Sequence, residues 1–157
     1  MNHPDSRPLK LIAPPPILYI VALLLGMGIH VLSPMKIFLA THAHEIVGGF
    51  LLLLSRAFAR WAFLAMRRSG TSGNPRKPSE ALVTDGPFPI SRNPIYVAMT
   101  GLYIAMAFLV NSAWLLLVLV PLLICMHWGV ILREEQYLSR TFGNEYTAYN
   151  SRVRRWL

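Results

Sequence analysis

The chain has 157 residues, enough for one domain with short tails. Hydrophobic residues make up 54% and charged residues only 14%, with a formal net charge of +8. That balance excludes an ordinary soluble domain and points to the bilayer, while a lone cysteine, Cys125, excludes an internal disulfide framework and a multi-cysteine zinc site.

Residues 1–13 read as a polar arm carrying Arg7 and Lys10. No small-residue cleavage pattern follows the first apolar run, so that run is expected to be a retained helix. Pro14-Pro15-Pro16 opens it, since proline costs nothing in a first helical turn. The span runs from Ile17 to Leu32 and ends at Ser33-Pro34. A second apolar passage starts at Ile37, is interrupted by THAHE, and resumes at Ile46. Its pattern predicts one long helix reaching Met66, with the later turns leaving the hydrocarbon. Arg56 and Arg60 lie four apart on one face, suited to snorkelling toward headgroups or to holding an anionic headgroup. His42 and His44 are two apart, off any shared helix face and without a third ligand, so no metal site is expected.

Residues 67–95 are rich in Ser, Gly, Asn and Pro and too long for a turn. Within them the stretch from Glu80 to Tyr96 carries apolar anchors, Leu82-Val83 and Gly86-Pro87-Phe88, and is expected to be ordered. Tyr96 to Val110 and Ala113 to Ile131 form a third and a fourth span, joined only by Asn111-Ser112 as an antiparallel hairpin. Ala98, Gly101 and Ala105 make a small-residue stripe for close helix approach inside the bundle. From Arg133 onward Leu138, Phe142, Tyr146, Tyr149, Val153 and Trp156 recur every three or four residues, interrupted by a helix stop at Gly143. The basic, aromatic ending RVRRWL suits an anionic membrane surface.

The expected fold is therefore all-α. It is a single integral-membrane bundle over residues 1–157, with about four transmembrane helices, a cofactor-sized loop and a C-terminal amphipathic helix. Of the 15 Lys and Arg, all but Lys36, Arg56 and Arg60 fall in the N-terminal arm, the 67–95 loop or the region from Arg133 on. With four spans these lie on one side, which the positive-inside rule makes cytoplasmic together with both termini. The same asymmetry explains the charge without nucleic acid. It also brings Arg92-Asn93-Pro94, at the start of the third span, to Glu134-Glu135 at the end of the fourth. His127 lies about two turns deeper, where an ionisable residue is either a packed histidine or part of the chemistry.

Several short motifs occur in order: Gly70-Thr71, Asn74-Pro75, Lys77-Pro78, Leu82-Val83-Thr84-Asp85-Gly86-Pro87-Phe88, Ser91-Arg92-Asn93-Pro94-Ile95-Tyr96, Arg133-Glu134-Glu135 and Phe142-Gly143-Asn144-Glu145-Tyr146. In this order and spacing the chain resembles the isoprenylcysteine carboxyl methyltransferase family, with its relatives the phospholipid N-methyltransferases, from about residue 46 onward. The resemblance implies a membrane enzyme using S-adenosylmethionine. Carried over, its cofactor-binding positions are Ala81, Leu82, Val83, Phe88, Asn93, Pro94, Ile95, Tyr96 and Glu134. Asn93 stands where many eukaryotic members have His, and Val130 where they place an arginine for the substrate carboxylate.

The chemistry of these residue types agrees with that implication. Glu134 suits the cofactor's ammonium, backbone N–H groups near Asn93-Pro94 its carboxylate, and Leu82, Val83 and Phe88 its adenine. Arg92 or Arg133 would hold an acceptor carboxylate, or Glu135 or His127 would take a proton from an acceptor amine. The expected partner is a lipophilic acceptor from the bilayer. The expected location is a plasma (inner) membrane, if the source is prokaryotic.

Overall fold

The structure, a computed structural model, describes residues 12–38, 42–70 and 81–157. The expectations for the N-terminal arm before Ile12 and for the motif residues from Thr71 to Glu80 lie outside these. Among the described residues all regular structure is helical: α1 (Pro15–Leu32), α2 (Ala43–Arg68), α3 (Pro94–Leu109), α4 (Ala113–Met126), a π turn (His127–Ile131), α5 (Leu132–Phe142) and α6 (Asn144–Asn150).

Pro15 and Pro94 sit in the first turns of α1 and α3, where their missing N–H groups leave no helical bond unmade. The second helix begins at Ala43, which corrects the expectation of one helix from Ile37. The reason lies at Asn111, in the left-handed region (φ 55°) between α3 and α4. Its Oδ1 accepts the N–H groups of Ile37 (3.0 Å) and Phe38 (2.9 Å), and its Nδ2 donates to the Phe38 carbonyl (2.9 Å). The Trp114 indole donates to the Ser33 carbonyl at 2.6 Å, and the Ala113 N–H to that of Met35. These bonds stitch the described part of the connection after α1 to the α3–α4 turn.

Among the described residues three helical rods are long and apolar enough to cross a membrane: α1, α2, and the continuous rod from Ala113 to Phe142. At 16 residues α3 is about 24 Å long, short of a typical hydrocarbon core. Although α3 and α4 are joined by a tight turn, α3 packs chiefly against α2, and α4 against α1. Side chains of Ile20, Leu24, Phe50, Leu53, Leu117 and Val120 are exposed on the outside, as lipid-facing positions must be. Small and aromatic residues fill the inside, with Tyr19, Tyr103, Leu115, Met126 and Val130 in one cluster. Within it the Tyr19 hydroxyl bonds Thr100 Oγ1 (2.7 Å), and Tyr103 donates to the Ala22 carbonyl (3.3 Å).

The α2–α3 interface is closed by small residues from both sides. Ala98 and Ala105 are buried, and a Cβ on Gly101 would run into the Ser55 hydroxyl. A Cβ on Gly48 would lie 2.7 Å from Leu109 Cγ and 2.9 Å from its backbone nitrogen. The neighbouring Gly49 meets nothing within 4 Å. Gly48→Ala is therefore expected to cost about 1–3 kcal/mol through overpacking. Gly49→Ala should leave stability unchanged or raise it by up to about 1 kcal/mol. Thermal unfolding of the two variants in one detergent checks this, and equal midpoints would refute it.

Candidate active site

At one end of the bundle the last turns of α2, the start of α3 and the helix that follows α4 converge. The 85–91 segment is wound in turns, with the Phe88 N–H on the Asp85 carbonyl and those of Ile90 and Ser91 on Pro87. Gly86 has φ +64° and lies so close to Ala65 that a Cβ there would meet that side chain at 2.7 Å. Only glycine combines this backbone conformation with this proximity.

Beneath the loop is a cleft, open to solvent, with about 90 Å³ of room accessible to water-sized groups. Its lining combines apolar side chains, Met66, Leu82, Val83, Phe88 and Leu138, with the polar or charged Arg92, Asn93, Glu134, Glu135, Tyr146 and Tyr149, and includes Ala81.

Two polar clusters organise the charged part of the lining. Glu134 Oε2 accepts a hydrogen bond from the Tyr96 hydroxyl at 2.8 Å, which fixes the carboxylate against the first turn of α3. Glu135 is held by two arginines. Arg155 approaches side-on, with Nε on Oε1 and Nη2 on Oε2, both at 2.8 Å, while Arg92 Nη1 lies 3.2 Å from Oε1. The Arg92 side chain is only 10% exposed and also donates to the Tyr146 hydroxyl at 3.4 Å. Its Nε is buried with no hydrogen-bond partner among the described residues. Burial, reinforced by the Glu135 charge, pushes the Tyr146 hydroxyl above its ordinary pKa, and burial does the same for Tyr149. Both phenols are therefore neutral donor–acceptors at physiological pH.

The final residues are bonded to the loop that precedes α3. Arg154 and Arg155 offer their carbonyls to the Arg92 N–H (2.9 Å), the Ser91 hydroxyl (3.2 Å) and Asn93 Nδ2 (3.0 Å). Tyr149 donates to the Phe88 carbonyl at 2.8 Å. The RVRRWL ending, expected at a membrane surface, thus turns Arg155 inward.

Of the residues singled out from sequence, Ala81, Leu82, Val83, Phe88, Arg92, Asn93, Glu134 and Glu135 come together in the cleft wall. Tyr96 lies directly behind Glu134, and Pro94 and Ile95 form the start of α3 beside it. Three expectations of placement are corrected. His127 and Arg133 do not line the cleft. A plain α-helix would put His127 and Glu134 on one face, but the π turn from His127 to Ile131 intervenes. There the Leu132 N–H reaches back to the His127 carbonyl, and the extra residue rotates the face by about 100°. The His127 ring instead stacks edge-on against Trp128, with centroids 5.0 Å apart, and Arg133 is exposed on α5. Third, the Asn93 N–H, expected to face a ligand, donates to Ser91 Oγ at 3.1 Å. Pro94 has no N–H to offer.

Met66, Leu138, Tyr146, Tyr149 and Arg155 belong to the site without having been singled out. The helical period marked Leu138, Tyr146 and Tyr149 as one apolar face, which is a usable signal. For Arg155, one of three arginines in the last six residues, there was none.

Apolar helices with lipid-facing exteriors, and a mixed apolar and charged cleft at one end, define a membrane protein with a small-molecule site at the edge of the bundle. The phospholipid methyltransferase family matches residues 43–145, well over half of the chain, and the chain belongs to that family. It shares a superfamily of membrane methyltransferases with the isoprenylcysteine carboxyl methyltransferases. Comparison with curated proteins and with solved structures returned no match.

Replacing Glu135 by Gln leaves Arg92 and Arg155 without their shared counter-charge. The cost should fall between the exposed and buried limits for ion pairs, about 2–3 kcal/mol. A thermal midpoint in detergent equal to that of the wild type would show that the cluster carries no stability.

Proposed function

We propose that the protein is an S-adenosylmethionine-dependent methyltransferase acting on a lipophilic acceptor drawn from the bilayer. The observation that carries this reading is the cleft, whose lining joins apolar side chains to two acidic residues and an arginine. S-adenosylmethionine is a flat adenine joined to an amino acid through a sulfonium, and the residues present fit each part. Leu82, Val83 and Phe88 suit the adenine. Glu134, oriented by Tyr96, has a second carboxylate oxygen that we assign to the ammonium, a charge-assisted contact strengthened by partial burial. Arg92, whose buried Nε lacks a partner among the described residues, is the grip for the carboxylate, in place of the backbone N–H of Asn93. When bound, the cofactor supplies an electrophilic methyl on a positively charged sulfur. The chain's own contribution is orientation, which is worth up to about 7–11 kcal/mol in well-aligned systems.

For the acceptor, the family description favours the amine of a phospholipid. Val130, fully buried in the core, offers no guanidinium for an acceptor carboxylate where the eukaryotic carboxyl methyltransferases have one. One observation favours a carboxylate acceptor of the isoprenylcysteine type instead. Both oxygens of Glu135 are occupied by arginine N–H groups, which leaves neither unshared for an acceptor amine, whereas a carboxylate needs no base. We place the cleft on the cytoplasmic side, on the strength of the basic residues gathered around it.

Glu134→Gln is expected to lower affinity for S-adenosylhomocysteine at least tenfold, the loss of one charged hydrogen bond, with methyl transfer falling in parallel. A wild-type protein with no affinity for this nucleoside would leave a non-catalytic scaffold or carrier as the reading. Methyl label transferred to extracted lipids then separates the acceptors. An ester releases methanol in mild alkali, and an N-methyl group survives it.

A further inference from the structure

Arg155 lies beyond the residues matched to the family, yet it makes the most complete ion pair in the cleft. Its two nitrogens take both oxygens of Glu135 at 2.8 Å each, whereas Arg92 reaches only one of them, at 3.2 Å. A carboxylate has room for both guanidinium groups, but only one can hold the side-on, two-point position. Arg155 holds it, and Arg92 is left with Nε buried and unsatisfied among the described residues. The backbone enforces the same division. The carbonyl of Arg155 is bound by Ser91 and Asn93 on either side of Arg92, and that of Arg154 by Arg92 itself. Residue 155 and residue 92 are therefore registered to each other by main chain and by side chain.

We propose that Arg155 is a positioning residue for Arg92. By occupying Glu135 at two points it prevents that carboxylate from drawing the Arg92 guanidinium into a full ion pair, and so keeps Arg92 directed at an anionic group of the bound ligand. The ligand class follows from the geometry: a small molecule with an apolar, flat part and a carboxylate. The inference rests on the methyl-donor reading above and goes beyond it by assigning the residue that sets the state of the carboxylate grip. Lysine cannot replace it fully, because an ammonium is a point charge without the planar fork.

The test compares two nucleosides on the full-length protein in detergent, by calorimetry. S-adenosylhomocysteine carries the amino-acid carboxylate, and methylthioadenosine has the same nucleoside without it. Arg155→Gln is expected to weaken S-adenosylhomocysteine about tenfold, the loss of a charged hydrogen bond, and to leave methylthioadenosine unchanged. Arg155→Lys should show the same ordering with a smaller loss, and it carries the test if Arg155→Gln does not fold. In a Glu135→Gln background, Arg155→Gln should cost nothing further, because the competing carboxylate charge is gone. Unchanged S-adenosylhomocysteine affinity in Arg155→Gln overturns the proposal. So does an equal loss for both nucleosides, which would make Arg155 a support of the fold alone. A wild-type protein that binds neither nucleoside overturns the methyl-donor reading, and this inference with it.

Discussion

A single carboxylate, Glu135, shared by Arg92 and Arg155, ties together the three parts of the chain that make the cleft. Arg92 belongs to the loop before α3, Glu135 to the rod that continues α4, and Arg155 to the final residues. The α5 helix, which carries Glu135, has no buried residue of its own. At the edge of a bilayer, partly out of water, an ion pair is stronger than at an open surface, and an unmatched charge is correspondingly costly. The cluster therefore does two things at once. It anchors the last residues over the loop, and it sets which cation remains available to the cleft.

The π turn has an equally local cause and a wide effect. One extra residue between His127 and Ile131 turns the continuation of the rod, so that Glu134 and Glu135 face the loop while His127 does not. The turn is supported from outside by Ile12, which packs so closely on Gly129 that a Cβ there would lie 2.7 Å from its Cδ1. The first helix and the active end of the last are coupled by packing as well as by connectivity.

At the opposite end the constraint comes from the solvent. Irregular backbone near a bilayer must have its polar groups answered by protein. Asn111 does this for the connection before α2, with one side chain making three bonds to Ile37 and Phe38. Between the two ends, small residues let α2 and α3 approach closely, and the Tyr19 and Tyr103 hydroxyls are paired with Thr100 and with the Ala22 carbonyl. The interior is thus closely packed, while the exterior is apolar. This is the reverse of a soluble domain, and it follows from the exchange of water for lipid.

Helix number, order and approximate ends were legible in the sequence, because hydrophobic run length, proline placement and the Gly143 stop are local signals that each act on their own stretch of chain. The loop–glutamate convergence was legible too, since a tight turn at Asn111-Ser112 makes the two helix ends neighbours whatever else they pack against. Family motifs marked Leu82, Val83, Phe88, Arg92, Asn93 and Glu134. What only the tertiary structure decided were the matters of angle and partnership. Whether a helix inserts a π turn depends on packing around it, so the face on which His127 falls was not written in the spacing. Which helices pair most closely depends on shape at the α2–α3 and α1–α4 contacts, not on the shortness of a connecting turn. And Arg155 looks like Arg152 and Arg154 in sequence. It differs only in where the chain, folded back over the loop, sets it down beside a carboxylate some twenty residues away.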